Sequence, residues 1–172
     1  MKNILDLFKS KANTGHGVLV DHPPSGYVVG MDEIAITDTY ISSAGFFTCC
    51  GVAIAQNGIG LYSHVTSFTS SEKLAAAIKA TFNLNESMRI HVINTDLRHM
   101  DEVDKREPIL GDYAVKKLKK ALEKSGLIGR KIEEHRHITM MDKIDFFPHC
   151  GGSIINDSEM ARQSNMLRTD FF

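Results

Sequence analysis

An α+β fold, with mixed or antiparallel β-sheets layered with helices, follows from three features of this 172-residue sequence. Short β-branched runs outnumber the segments of helical period. The helical segments do not alternate one-for-one with strands, as repeated βαβ units would. A composition 42% hydrophobic and 24% charged suits one domain with a full core. Residues 1–172 therefore read as a single domain. A short helical cap is expected at 2–9, where Ile4, Leu5 and Phe8 fall on one helical face.

The elements follow in order. "GVLVD", "YVVG", "IAIT" and "TYIS" are short strand-like runs, separated by "HPPSG" and "GMDE". Two longer runs, 46–56 and 59–66, are joined by "QNG", a hairpin signal. The period then changes. Thr69 as N-cap with Glu72 three residues on forms a capping box, and Leu74, Ile78 and Phe82 share one face. "MRIHVINT" (88–95) reads as a strand and "LRHMDEVDKREP" (97–108) as a charged loop. A second helix spans 112–126, capped by Asp112 and stopped by Gly126, with Val115, Leu118 and Leu122 inward. Its lysines 116, 117, 119, 120 and 124 form a solvated outer face. "HRHITMMD" and "IDFFPH" are late strands, Cys150-Gly151-Gly152 a turn, and "SEMARQSNMLR" a final short helix.

A formal net charge of −1 gives nothing global to recruit nucleic acid or an anionic membrane. No apolar stretch reaches the roughly 18–20 residues of a spanning helix. "MKNILDLFKSK" is too polar for a secretory signal, so the expected location is cytoplasmic, or outside the cell by a route without that signal. Three cysteines, Cys49, Cys50 and Cys150, cannot all pair within the chain, and adjacent residues rarely pair because their side chains diverge. Unpaired thiols fit a reducing compartment or a catalytic role.

Cysteine chemistry needs a base near the thiol and a group that orients the base. His64 lies 64 − 49 = 15 residues after Cys49, across the hairpin. Folding about 56–58 would set Cys50 opposite His64, and a bulge would shift that by one, so spacing alone does not choose between the cysteines. Alternation puts Cys50, Val52 and Ile54 on a uniformly apolar core face. Cys49, Gly51, Ala53 and Ala55 share the other, which is cleared of bulk. That face suits a reactive sulfur or the close packing of a helix.

The segment "SAGFFTCCGVAIAQNGIGLYSHV" resembles the active-site segment of the chemoreceptor glutamine deamidases (CheD) and of the catalytic domains of cytotoxic necrotizing factor toxins. The likeness covers about residues 40–66. It implies Cys49 as nucleophile, preceded by Thr48, and His64 as general base, reached through Gly60-Leu61-Tyr62-Ser63. Ser43 matches the polar residue six positions before the nucleophile and becomes the orienting third member, with Gly45 between them. Gly45 and Thr48 are the implied substrate-binding or oxyanion positions. Phe47 stands where the family has glycine. The implied activity is a cofactor-free deamidation of glutamine side chains on a protein substrate. In a resting structure these roles predict a Cys49–His64 contact at the foot of a shallow, solvent-reached cleft, with Phe46 and Phe47 walling it or packing beneath it; the alternation, with His64 as activating base, predicts a Cys49 that alkylates faster than Cys50 or Cys150.

Two other readings stand beside it. One keeps the fold as a non-catalytic binding module with Cys49 a structural thiol. The other is a metal-dependent hydrolase: His135 and His137 share a strand face, His149 and Cys150 could add ligands, and Cys49, His64 and a late histidine are the alternative set. No closed ligand set at recognised spacing is present, so no metal is expected. His91, alternating with Ile90 and Val92, reads as a residue at the sheet surface.

Overall fold

A computed structural model of the protein describes residues 19–20, 27–46, 48–95, 107–138 and 143–156. The helical cap at 2–9, Phe47, most of the 97–108 loop and the helix expected in "SEMARQSNMLR" lie outside the described residues. Among the described residues the fold is mixed α+β, with two α-helices and two sheets. The larger sheet has six strands in the order β1-β3-β6-β5-β7-β8. These are Leu19–Val20 (β1), Ile34–Thr37 (β3), Cys50–Gln56 (β5), Ile59–Val65 (β6), Arg89–Thr95 (β7) and Glu133–Ile138 (β8). The smaller sheet runs β10-β9-β4-β2, from Ser153–Asn156 (β10), Lys143–Phe147 (β9), Ile41–Ala44 (β4) and Tyr27–Val28 (β2). Among the described residues no helix is long and apolar enough to cross a membrane.

The large sheet is buried on both faces. Cys50, Val52, Ile54, Leu61 and Val65 pack against Leu74 and Ile78 of α1 (Ser71–Thr81) and Leu118 and Leu122 of α2 (Glu107–Ser125). The face cleared of bulk receives neither open solvent nor a helix. It is covered by the second sheet, whose Phe146 and Ile144 join Ala53, Ala55, Tyr62 and Phe46 in a second core. Small residues are required there. A Cβ on Gly60 would stand 2.3 Å from the Pro148 ring and 2.6 Å from Phe146.

The β5–β6 turn is Asn57-Gly58, with φ of 52° and 81°, the left-handed pair that a two-residue hairpin of matched twist demands. This sets the register one residue away from the expected one: Gly51 faces His64, and Cys50 faces Val65.

Helix α1 is capped by Ser70, whose hydroxyl accepts the Lys73 N–H at 3.2 Å, rather than by Thr69. Thr69 is occupied elsewhere: its hydroxyl accepts the Thr66 N–H and donates to Asp32 at 2.5 Å. Helix α2 begins at Glu107 rather than at Asp112, which is exposed inside the helix, and Pro108 sits in its first turn, where a missing N–H costs nothing. Its far end is as expected, with Gly126 at φ 81° and the Leu127 N–H returning to the Leu122 carbonyl. Leu118 and Leu122 are buried, and Val115 is half-buried. The outer lysines are not all simply solvated: Lys120 and Lys124 reach Glu72 on α1, at 3.4 and 2.7 Å. The Gly151-Gly152 turn, at φ 68° and 74°, leads into β10, a strand that the sequence does not announce.

Candidate active site

His64 sits near the end of β6 and is 1% exposed. Its partner across β5 is Gly51, where a Cβ would lie 3.1 Å from Phe46. The missing side chain lets the Phe46 ring stack on the imidazole, with centroids 4.4 Å apart and planes inclined by 13°. Phe46 is itself fully buried, so one face of the imidazole is dry. Burial accordingly lowers the His64 pKa to about 4, against the opposing pull of the Asp32 charge. At neutral pH the ring is neutral.

The tautomer follows from Ser43. The Ser43 hydroxyl donates to the Val29 carbonyl at 2.9 Å, which uses its one proton. Its oxygen lies 3.0 Å from His64 Nδ1 and can only accept there. Nδ1 therefore carries the ring proton, and Nε2 presents a bare lone pair. Nε2 is buried with no hydrogen-bond partner among the described residues. Sequence and structure agree on bringing Ser43 and His64 together.

Cys49 immediately precedes β5 and has the same parity as Gly51, the residue opposite His64. Cys49 itself lies just outside the strand, where Thr48 supplies hydrogen bonds to it. Cys50 turns to the helix side, into the core that holds Val52 and Ile54. The expected hydrogen bond between sulfur and imidazole is not made in this state, because Nε2 is unpartnered. Burial, the largest effect, and the charge of Asp32 raise the Cys49 pKa, while hydrogen bonds from Thr48 lower it. Cys50 is raised much further by burial. None of the three cysteines is in a disulfide.

The cleft differs from expectation. Cys49 is only 8% exposed, and of the two placements expected for Phe46 the structure has it buried against the base instead of walling an opening. A cavity of about 380 Å³ opens at the opposite end of the β5–β6 hairpin, lined by Gln56, Asn57, Gly58, Arg89 and Glu133 among others, and touches none of Cys49, His64 and Ser43. Cys150 is exposed, so exposure alone favours its alkylation ahead of Cys49, contrary to the expected order. Gly45 follows β4 with φ 80° and has no heavy atom near its missing side chain, which suits a turn leading toward Cys49.

Asp32 is the residue that the sequence reading misses. Its N–H donates to the His64 carbonyl at 2.9 Å, and its carboxylate accepts the Thr66 and Thr69 hydroxyls, each at 2.5 Å. The signal was faint: an aspartate at φ 63° in "GMDE", with threonines 34 and 37 residues downstream.

No protein-family model and no curated protein matches this chain. What the site itself holds is a neutral imidazole bonded to a serine at Nδ1, with its other nitrogen buried and without a hydrogen-bond partner among the described residues.

The histidines of the metal reading separate. His64 and Cys49 do not form a ligand cluster with a late histidine among the described residues. His137 has a place on β8, but its side chain is outside the described residues. His149 and Cys150 lie in the short 3-10 turn Pro148–Cys150, and neither joins the one group of ligand-type side chains among the described residues, His91, Glu133 and His135. His91 is 1% exposed, not at the sheet surface.

Proposed function

We propose that this protein is a cysteine-dependent amidohydrolase acting on glutamine side chains of a protein substrate. The observation that carries the reading is the Ser43–His64 pair, which leaves His64 Nε2 as a bare, buried base. The resemblance of residues 40–66 to CheD and to the necrotizing-factor domains supplies the substrate class.

In the proposed reaction His64 Nε2 takes the Cys49 thiol proton, and the sulfur attacks the carboxamide carbon. The tetrahedral oxyanion is held by backbone N–H groups around Gly45 and Thr48. The protonated Nε2 then gives its proton to the departing nitrogen, releasing ammonia and leaving a thioester. Water, deprotonated by Nε2, hydrolyses the thioester to glutamate and restores the thiol. Ser43 holds Nδ1–H throughout, the role an aspartate plays in a serine-protease triad. A glutamine, with its carboxamide on a slender stem, suits a sulfur that is 8% exposed.

The test is mass spectrometry for glutamine-to-glutamate conversion after incubation with candidate proteomes, with Cys49→Ala as control. Conversion that requires Cys49 supports the reading. Conversion that persists in C49A, or is absent across cognate proteomes, overturns it. A second reading, a binding module on the same fold, is favoured by the raised Cys49 pKa and by the missing sulfur–imidazole bond. It predicts that the Cys49 alkylation rate is indifferent to His64→Ala.

A further inference from the structure

A second polar cluster lies at the other edge of the large sheet. Strands β7 and β8 pair in parallel, with His91 opposite Glu133 and Ile93 opposite His135. Residues 133 and 135 point to one side of β8, the side on which His91 leaves β7. Three ligand-type side chains thus converge, with one donor atom of each lying within 4.8 Å of the others.

The protons in the cluster can be placed. His91 Nε2 lies 2.7 Å from the Gly152 carbonyl oxygen, which only accepts, so Nε2 carries the proton. Gly152 is held firmly. It has φ 74°, and a side chain there would meet the Ala55 Cβ at 2.5 Å. With the ring proton on Nε2, neutral His91 offers Nδ1 as a lone pair. That lone pair accepts a hydrogen bond from His135 Nε2–H at 2.9 Å and lies 3.6 Å from Glu133 Oε2; a bound cation would take the place of the His135 Nε2 proton, which leaves to solvent.

Such spacings have a chemical meaning. Two atoms bound to one zinc ion at about 2.0–2.1 Å in tetrahedral array stand about 3.3 Å apart. The observed separations bracket that value. The His91 Nε2–H bond to a backbone carbonyl is also the kind of outer contact that orients a metal-bound imidazole. Arg89 grips the Glu133 carboxylate with two bonds, at 2.9 and 3.0 Å. An ion must share that carboxylate with Arg89, which places the affinity below that of a closed structural zinc site.

We propose that His91 Nδ1, His135 Nε2 and a Glu133 oxygen bind one divalent cation of the zinc class, with water at the remaining position. The cavity of about 380 Å³ that Glu133 and Arg89 help to line gives that water its room. The site is separate from Cys49 and His64, and it fastens the edge strand β8 to β7 and to the turn before β10.

The experiment uses the whole 172-residue chain, stripped with chelator and titrated with Zn²⁺ by calorimetry and with Co²⁺ by visible absorption. One equivalent is expected, with a cobalt spectrum lacking thiolate charge-transfer bands. His135→Ala and Glu133→Gln, both on a half-buried edge and checked for fold by circular dichroism, should each weaken binding by about 10-fold or more. Cys49→Ala should leave it unchanged. Failure of the wild-type chain to take up an equivalent, uptake that survives both substitutions, or uptake lost in C49A would overturn the proposal.

Discussion

His64 and His91 are alike in burial and opposite in chemistry. Each is 1% exposed, each projects from a central strand toward the second sheet, and each has one nitrogen on an oxygen. His64 gives its proton from Nδ1 to a serine and leaves Nε2 with no partner among the described residues. His91 gives its proton from Nε2 to a backbone carbonyl and turns Nδ1 toward His135 and Glu133. Burial of an imidazole therefore says little about function; what the second nitrogen faces says more. An unsatisfied buried nitrogen costs about 1–3 kcal/mol. The fold retains that cost at His64, and the proposed role of His64 as a base would account for it.

The comparison breaks most sharply at His64 itself. His64→Gln should lower Cys49-dependent deamidation by about 10²–10⁴-fold, the usual worth of a positioned base. His91→Gln should reduce metal uptake instead, and activity assays on both variants with circular dichroism alongside check the split. Ser43→Ala should cost about 10²-fold in kcat, because it frees the imidazole to turn and to change tautomer. A KM left near wild type would separate this positioning loss from general damage.

Acid should act through the same ring. The unfolded chain binds a proton at His64 near pH 6.5, whereas the folded chain holds that pKa at about 4. Between these values the unfolded state binds more protons, so stability falls as pH falls from about 6.5 to 4. The loss attributable to His64 is roughly 3 kcal/mol, read as the difference in urea midpoints between wild type and His64→Gln across that window. Equal pH slopes in the two proteins would remove His64 from the account.

Smaller effects test the frame that holds the two histidines apart. Gly60→Ala forces a methyl into Pro148 and Phe146 and should destabilise the protein by about 1–3 kcal/mol in chemical denaturation. Ser70→Ala should cost about 1 kcal/mol, and Thr69→Ala should act instead by releasing the Asp32 carboxylate near the site.

These residues also show how far the sequence could be read. Local signals sufficed for the Asn57-Gly58 hairpin, the Leu74/Ile78 helix face, the Gly126 stop and the core placement of Cys50. The pairing of Ser43 with His64 was legible only through the resemblance, since nothing local ties residues on different sheets. The second sheet over Gly60, Ala53 and Ala55 was not legible: small residues announce close packing without saying against what. Thr69 and Ser70 are both good caps, and Asp32, far along the chain, decides between them. The start of α2 was lost in "DEVDKREP", where charge reads as loop although the helix already runs from Glu107. His91 was read as a surface residue because its polarity hid a partner, the Gly152 carbonyl, that lies 61 residues away.

The most direct test of the base assigned to His64 is nitrogen-15 NMR of the histidine side chains at neutral pH and down through pH 4. His64 should appear as the neutral tautomer protonated at Nδ1, with Nε2 bare, and should begin to titrate only near pH 4. His91, in the same spectrum, should show the opposite tautomer. A His64 protonated at Nε2, or one titrating near the ordinary value of about 6.5, would contradict the account.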